Sequence, residues 1–276
     1  MAKITAAEVN KLRKHTGAGM MDCKKALVEA EGNFEQAIDI LRKKGQKVAA
    51  KRADRDAVEG AVVSGVNAEG TVGFIVSLNC ETDFVAKNDN FVGLAKSILS
   101  LAINNDPKNV EELLAADMDG MSLSDKLVEQ TGVIGEKLEV KFFERLEDNH
   151  VSAYIHAGNK IATIVSLNKS VDNAAELGKD VAMQVAAMNP LALNKDSIAQ
   201  DIIDREFEVG KDLARQEGKP EAMLDKIATG RLNKFFKENT LVSQDFIKDG
   251  KMSVEKYLKS ADKELVVTAF KRCSLS

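Results

Sequence analysis

Ile75-Val76-Ser77-Leu78-Asn79 returns unchanged as Ile164-Val165-Ser166-Leu167-Asn168, 89 residues further along the chain. Five matching residues are a weak signal alone, but both copies close the second arm of the same pattern. In the first, Ala61-Val62-Val63-Ser64-Gly65-Val66 and Thr71-Val72-Gly73-Phe74-Ile75-Val76-Ser77-Leu78 flank a turn at Asn67-Ala68-Glu69-Gly70. In the second, Ser152-Ala153-Tyr154-Ile155-His156 and the run 160–167 flank Ala157-Gly158-Asn159. Apolar runs split by such turn residues read as β-hairpins. A helical pattern follows each, with Phe91, Leu94, Ala95, Ile98 and Leu101 on one stripe after the first and residues 173–188 after the second. Recurrence in the same context points to internal duplication. The expected fold class is therefore α+β, a duplicated core whose antiparallel sheets each bury one face under helices.

Outward from this core, helical patterns cover 109–116 and 124–134, and Leu138-Glu139-Val140-Lys141-Phe142 alternates as a strand. Towards the N-terminus the period is helical. Thr5 and Glu8 have capping-box spacing before a helix over about 6–15, and Thr16-Gly17-Ala18-Gly19 breaks it. A second helix starts near Asp22 and ends at Gly32, and a third opens at Asn33 with Gln36 and stops at Gly45. Residues 1–45 thus form a three-helix module, near the lower size limit for independent folding. Its Met20 and Met21 suit either an adaptable contact surface or core gaps. Residues 46–59, charged and without a regular apolar face, read as a linker. The core halves are 60–147 and 148–276. Within the second, 196–229 reads as an antiparallel helical hairpin bent at Gly218-Lys219-Pro220, with a narrow apolar seam between charged flanks. A short helix near 254–258 and a strand over 264–270 close the chain.

The segment joining the first hairpin to its helix is Asn79-Cys80-Glu81-Thr82-Asp83-Phe84-Val85-Ala86-Lys87-Asn88-Asp89-Asn90-Phe91. Loops at strand ends carry functional groups because the scaffold holds them while their backbone need not pair. Phe84 stands out among polar neighbours, since leaving it in water forgoes roughly 1.5–3 kcal/mol of burial. On spacing alone the commoner reading turns Phe84 inward beneath the helix start, with Thr82 or Asn88 as N-cap. The duplication weighs against that, because Asn173 occupies the corresponding place in the second half.

The 39 basic and 43 acidic residues leave a formal charge of −4, so no overall field favours a polyanion and no direct nucleic-acid contact is expected. The three cysteines, Cys23, Cys80 and Cys273, show no CxxC pair and fit a reducing compartment. No apolar run is long enough for a membrane span and the Met-Ala-Lys-Ile-Thr start lacks a signal-type apolar core, so a cytoplasmic protein without membrane contact is expected. Nucleotide-binding and hydrolase motifs are missing, and His15, His150 and His156 share no ligand spacing with the cysteines, so neither catalytic nor metal-binding residues, nor a cofactor, are expected. Glu81 and Asp83 beside Cys80 oppose a reactive thiolate.

Thr16-Gly17-Ala18-Gly19-Met20-Met21-Asp22-Cys23-Lys24-Lys25-Ala26-Leu27, followed by Asn79-Cys80-Glu81-Thr82-Asp83-Phe84-Val85-Ala86-Lys87, closely resembles bacterial translation elongation factor Ts. The likeness extends through His156-Ala157-Gly158, the Gly218-Lys219-Pro220 bend and the Gln244-Asp245-Phe246 region. The resemblance implies a ubiquitin-associated-like N-terminal module, a projecting hairpin, and a guanine nucleotide exchange factor without covalent chemistry whose partner is the GTPase elongation factor Tu. It further implies that the Thr82, Asp83, Phe84 and Val85 segment enters beside the partner's magnesium site. Arg13, Met20, Met21 and Lys24 would contact its nucleotide domain, with His156 a contact from the second half. Enterobacterial members continue into a further C-terminal helix, whereas this sequence stops at Lys271-Arg272-Cys273-Ser274-Leu275-Ser276, so such a contact is not expected. A second copy of the chain, joined through the hairpin, is the other partner the seam allows. The competing functions are a ubiquitin-associated-like adaptor acting through Met20 and Met21 alone, and an enzyme using Cys80.

Overall fold

The computed structural model describes residues 4–275. Three helices come first: α1 (Ala6–Thr16), α2 (Met20–Glu29) and α3 (Phe34–Arg52). The Thr5 and Glu8 capping box is present, Gly17 ends α1 in the left-handed conformation (φ 71°), and Asn33 caps α3 by accepting from the Gln36 N–H at 3.1 Å. Val9, Leu12, Cys23, Ala26, Leu27, Ala37 and Ile38 form their small core.

Two expectations fail at α3, which neither stops at Gly45 nor gives way there to a linker at residue 46; it runs on to Arg52. Gly45 serves packing rather than termination. It meets α7 (Leu123–Ile134) at Gly132, where a Cβ would overlap the Gly45 Cα, and its own Cβ position is 3.4 Å from the Val128 carbonyl. The paired glycines let two helix backbones cross closely, and Val133 joins the N-terminal core beside them.

The core is two three-stranded antiparallel sheets, in agreement with the α+β expectation. The first has the order β1 (Glu59–Val66), β2 (Val72–Cys80), β3 (Glu139–Glu147), and the second β4 (His150–Ile155), β5 (Ile161–Leu167), β8 (Val267–Ser274). Along β2, Phe74, Val76, Leu78 and Cys80 face α5 (Asp89–Asn105), while Ile75 points the other way into a cluster with Val62, Val151, Ala162 and Ile164. In β5, Val165 and Leu167 pack towards α8 (Ala174–Met188), and Ile164 enters that same middle cluster. Both pentapeptides therefore play one role: Ile between the sheets, Val and Leu under helices. Both central strands also shift register with their third strand at the same place, between Ser77 and Leu78 and between Ser166 and Leu167. The expectation of one covered face per sheet is exceeded, because each sheet covers the other's second face. This explains why β2 is buried throughout, its polar Ser77 and Asn79 included.

Short helices α4 (Asp83–Ala86) and α6 (Val110–Ala115) flank α5. After α8, helices α9 (Gln200–Gln216) and α10 (Leu224–Asn239) pack closely, with Gly210 against Ala228. The expected end of this pair at Thr229 is too early, because α10 continues through Gly230 to Asn239. A helical glycine costs only about 1 kcal/mol relative to alanine, too little to break an otherwise helical run. A two-stranded ribbon, β6 (Asp245–Phe246) and β7 (Asp249–Ser253), precedes α11 (Val254–Ala261) and β8.

Candidate functional site

Residues 80–91 form two successive capped helix starts at the end of β2. Thr82 caps α4, its Oγ1 accepting from the Val85 N–H at 3.4 Å, and Asn88 caps α5 by accepting from the Asn90 N–H at 2.9 Å. The caps expected at either Thr82 or Asn88 are both present, but the inward-turned Phe84 is not. Phe84 is 84% exposed, whereas Val85 packs on the core and Ala86 is buried. The inward place at this turn is filled by Val85 and Ala86, so α4 points Phe84 outwards.

Asp83 pairs with Lys87 at 2.7 Å, one turn on, and this hydrogen bond and charge hold its carboxyl below the usual carboxylate range. The segment therefore presents an aromatic ring next to an ionised carboxylate. Beneath it, the Cys80 Sγ donates to the Thr82 carbonyl at 3.2 Å. Burial, reinforced by the Glu136 charge, pushes this thiol up to about 12, so it is no nucleophile near neutral pH.

Two carboxylates hold the segment in place, Glu81 of the segment itself and Glu136, which local sequence reasoning did not single out. Glu136 accepts the Glu81 and Thr82 N–H groups at 3.0 Å each and the Thr82 hydroxyl at 2.6 Å. Reciprocally, Glu81 accepts the Lys137 N–H at 2.7 Å and Arg52 Nη1 at 2.7 and 2.8 Å. The Lys137 N–H, then Arg52, keep the Glu81 carboxyl below its ordinary range. These partners lie 55 residues ahead and 29 behind, beyond any local motif.

A groove joins the N-terminal module to this loop through Gly17, while none of the expected contact residues Arg13, Met20, Met21 and Lys24 lines it. A depression of ≈ 500 Å³ is lined by Gly17 on one side, by Phe84, Val85, Phe91 and Leu94 on another, and by Val133 and Ile134. Met20 and Met21 open α2 just beyond Gly17 and are 51% and 62% exposed, which removes the core-filling reading. Arg13 and Lys24 are exposed as well. His156 is exposed on the β4–β5 turn, 3.0 Å from the Tyr154 hydroxyl. Lys160 of that turn pairs with Glu59, which lies opposite Cys80 in the first sheet, so the turn sits at the same end of the core as residues 80–91.

Among the described residues no cluster of three or more His, Cys, Asp or Glu side chains is arranged to hold a metal ion, and no helix is long and apolar enough to cross a membrane. A family model described as elongation factor TS matches residues 81–276. The chain is 62% identical over 275 residues to elongation factor Ts of Christiangramia forsetii and 58% identical over 275 residues to that of Flavobacterium psychrophilum, each match covering all of both chains. It is also 50% identical over 270 residues to elongation factor Ts of Amoebophilus asiaticus, covering 98% of both.

Proposed function

The chain belongs to the elongation factor Ts family, and from that premise we propose how it acts on its GTPase. It is a guanine nucleotide exchange factor for elongation factor Tu. Residues Thr82, Asp83, Phe84 and Val85 enter beside the partner's magnesium site, Arg13, Met20, Met21 and Lys24 dock on its nucleotide domain, and His156 contacts it from the second half. The N-terminal helices act as a ubiquitin-associated-like docking module on the duplicated core. The α9–α10 pair is an arm that meets the GTPase or a second copy of the chain. The protein works in the cytoplasm, on the GTPase in its GDP-bound and empty forms, without direct contact to nucleic acid.

The observation that carries this reading is Phe84, exposed on a helical turn fixed at both ends by caps. Its burial in a partner recovers the roughly 1.5–3 kcal/mol that exposure forgoes. In P-loop GTPases magnesium bridges the phosphates and a loop hydroxyl, so a side chain and a carboxylate inserted there loosen the nucleotide without breaking a covalent bond. Exchange needs tighter binding to the empty GTPase than to its GDP form, and by reciprocity GDP weakens the factor equally. A preference of about 10⁴ corresponds to roughly 5.5 kcal/mol, of which Phe84 supplies part and lost magnesium contacts the remainder. The test is the affinity of this chain for elongation factor Tu, measured empty and loaded with GDP. Much tighter binding to the empty form is expected; equal affinities would refute the exchange mechanism.

A further inference from the structure

We propose that Glu136 is a positioning residue for exchange, holding the Phe84 segment in its presenting geometry through a reciprocal clasp with Glu81 and Arg52. The proposal rests on the reading above that Phe84 acts on the GTPase. Glu136 takes two consecutive backbone N–H groups and the hydroxyl of the residue that caps α4. Glu81 returns the connection to the Lys137 N–H and extends it to Arg52, the last residue of α3. Neither carboxylate belongs to the exposed face that carries Phe84; both are partly buried beneath it. Three hydrogen bonds to one charged acceptor fix the direction in which a four-residue helix leaves the strand, and charge-assisted bonds of this kind are stronger than neutral ones. Because Arg52 ends the helix that also frames the N-terminal module, the same clasp ties the orientation of α4 to that module. Partner contacts need both in register.

The experiment is a double-mutant cycle on the full chain, read by release of fluorescent GDP from elongation factor Tu at increasing factor concentration. Glu136→Ala is expected to lower the maximal release rate by roughly tenfold while the half-saturating concentration changes by less than about twofold, because docking through the N-terminal module is kept. Combined with Phe84→Ala, it should slow release little beyond Phe84→Ala alone, since a misdirected ring and a missing ring fail alike. If Phe84→Ala slows release but folded Glu136→Ala reaches the wild-type maximum, the positioning role is wrong. Full multiplication of the two effects would overturn it too. If Phe84→Ala itself changes nothing, the underlying insertion reading falls and this inference falls with it. Should Glu136→Ala not fold, Glu136→Gln takes its place; it keeps the length and one acceptor oxygen, and its maximal rate should lie below wild type, with a wild-type rate counting against the proposal.

Discussion

Replacing Phe84 by alanine separates function from stability more cleanly than any other single change, because the ring is 84% exposed. So little of it is covered in the free protein that the substitution should change folding stability by no more than about 0.5 kcal/mol, as for ordinary surface positions. In the complex the whole ring has to be covered. Losing about 1.5–3 kcal/mol of apolar burial there converts to a release rate about 10- to 100-fold slower. Urea midpoints of wild type and Phe84→Ala give the first quantity, and stopped-flow release of fluorescent GDP from elongation factor Tu gives the second. A buried staple would behave in the opposite way, costing about 3–5 kcal/mol of stability. A variant of wild-type stability that still releases GDP at the wild-type rate would refute the reasoning. Asp83→Asn, which removes the charge and keeps the shape, should also slow release.

Other consequences follow from packing and charge. Gly132→Ala should destabilise the docking of α3 on α7 by about 1–3 kcal/mol in urea titration, because the new Cβ overlaps the Gly45 backbone; Gly230→Ala, with open space around it, should instead stabilise by about 0.5–1 kcal/mol. Asp106 is lowered from 3.8 to about 2, chiefly by its hydrogen bond from Arg145. Because the folded value lies below the unfolded one, the pair's stabilisation is present above about pH 4 and is lost as pH falls through about 2; solvent screening of this half-exposed carboxylate keeps it under about 1 kcal/mol. The stability difference between wild type and Arg145→Met should therefore shrink across that interval. Cys23, Cys80 and Cys273 are all buried and their thiols are raised, Cys80 to about 12 and Cys273 to about 11. Disulfide-exchange reagents near pH 8 should thus react slowly with native protein and promptly on unfolding; rapid native reaction of Cys80 would revive an enzymatic role for it.

Much of the core was legible because its signals are local and periodic. The repeated pentapeptide, with alternate residues facing opposite sides, foretold two like halves, and the shared register shift after Ser77 and Ser166 shows how literal that likeness is. Glycine misled at position 45. A glycine that ends a helix and one that lets two helices approach look the same in sequence, and only Gly132, far along the chain, makes Gly45 the second kind. Phe84 was visible as an anomaly but its direction was not, because that depends on Val85 and Ala86 filling the inward place. Glu136 and Arg52 were invisible for a related reason: their partners are backbone groups and a carboxylate brought near only by folding.

The most direct measurement of the central claim is the release rate of fluorescent GDP from elongation factor Tu as wild-type chain is added in the presence of excess unlabelled GDP. The account predicts a rate that rises with factor concentration and then saturates, far above spontaneous release. A chain that binds elongation factor Tu yet leaves the release rate unchanged at every concentration would contradict it.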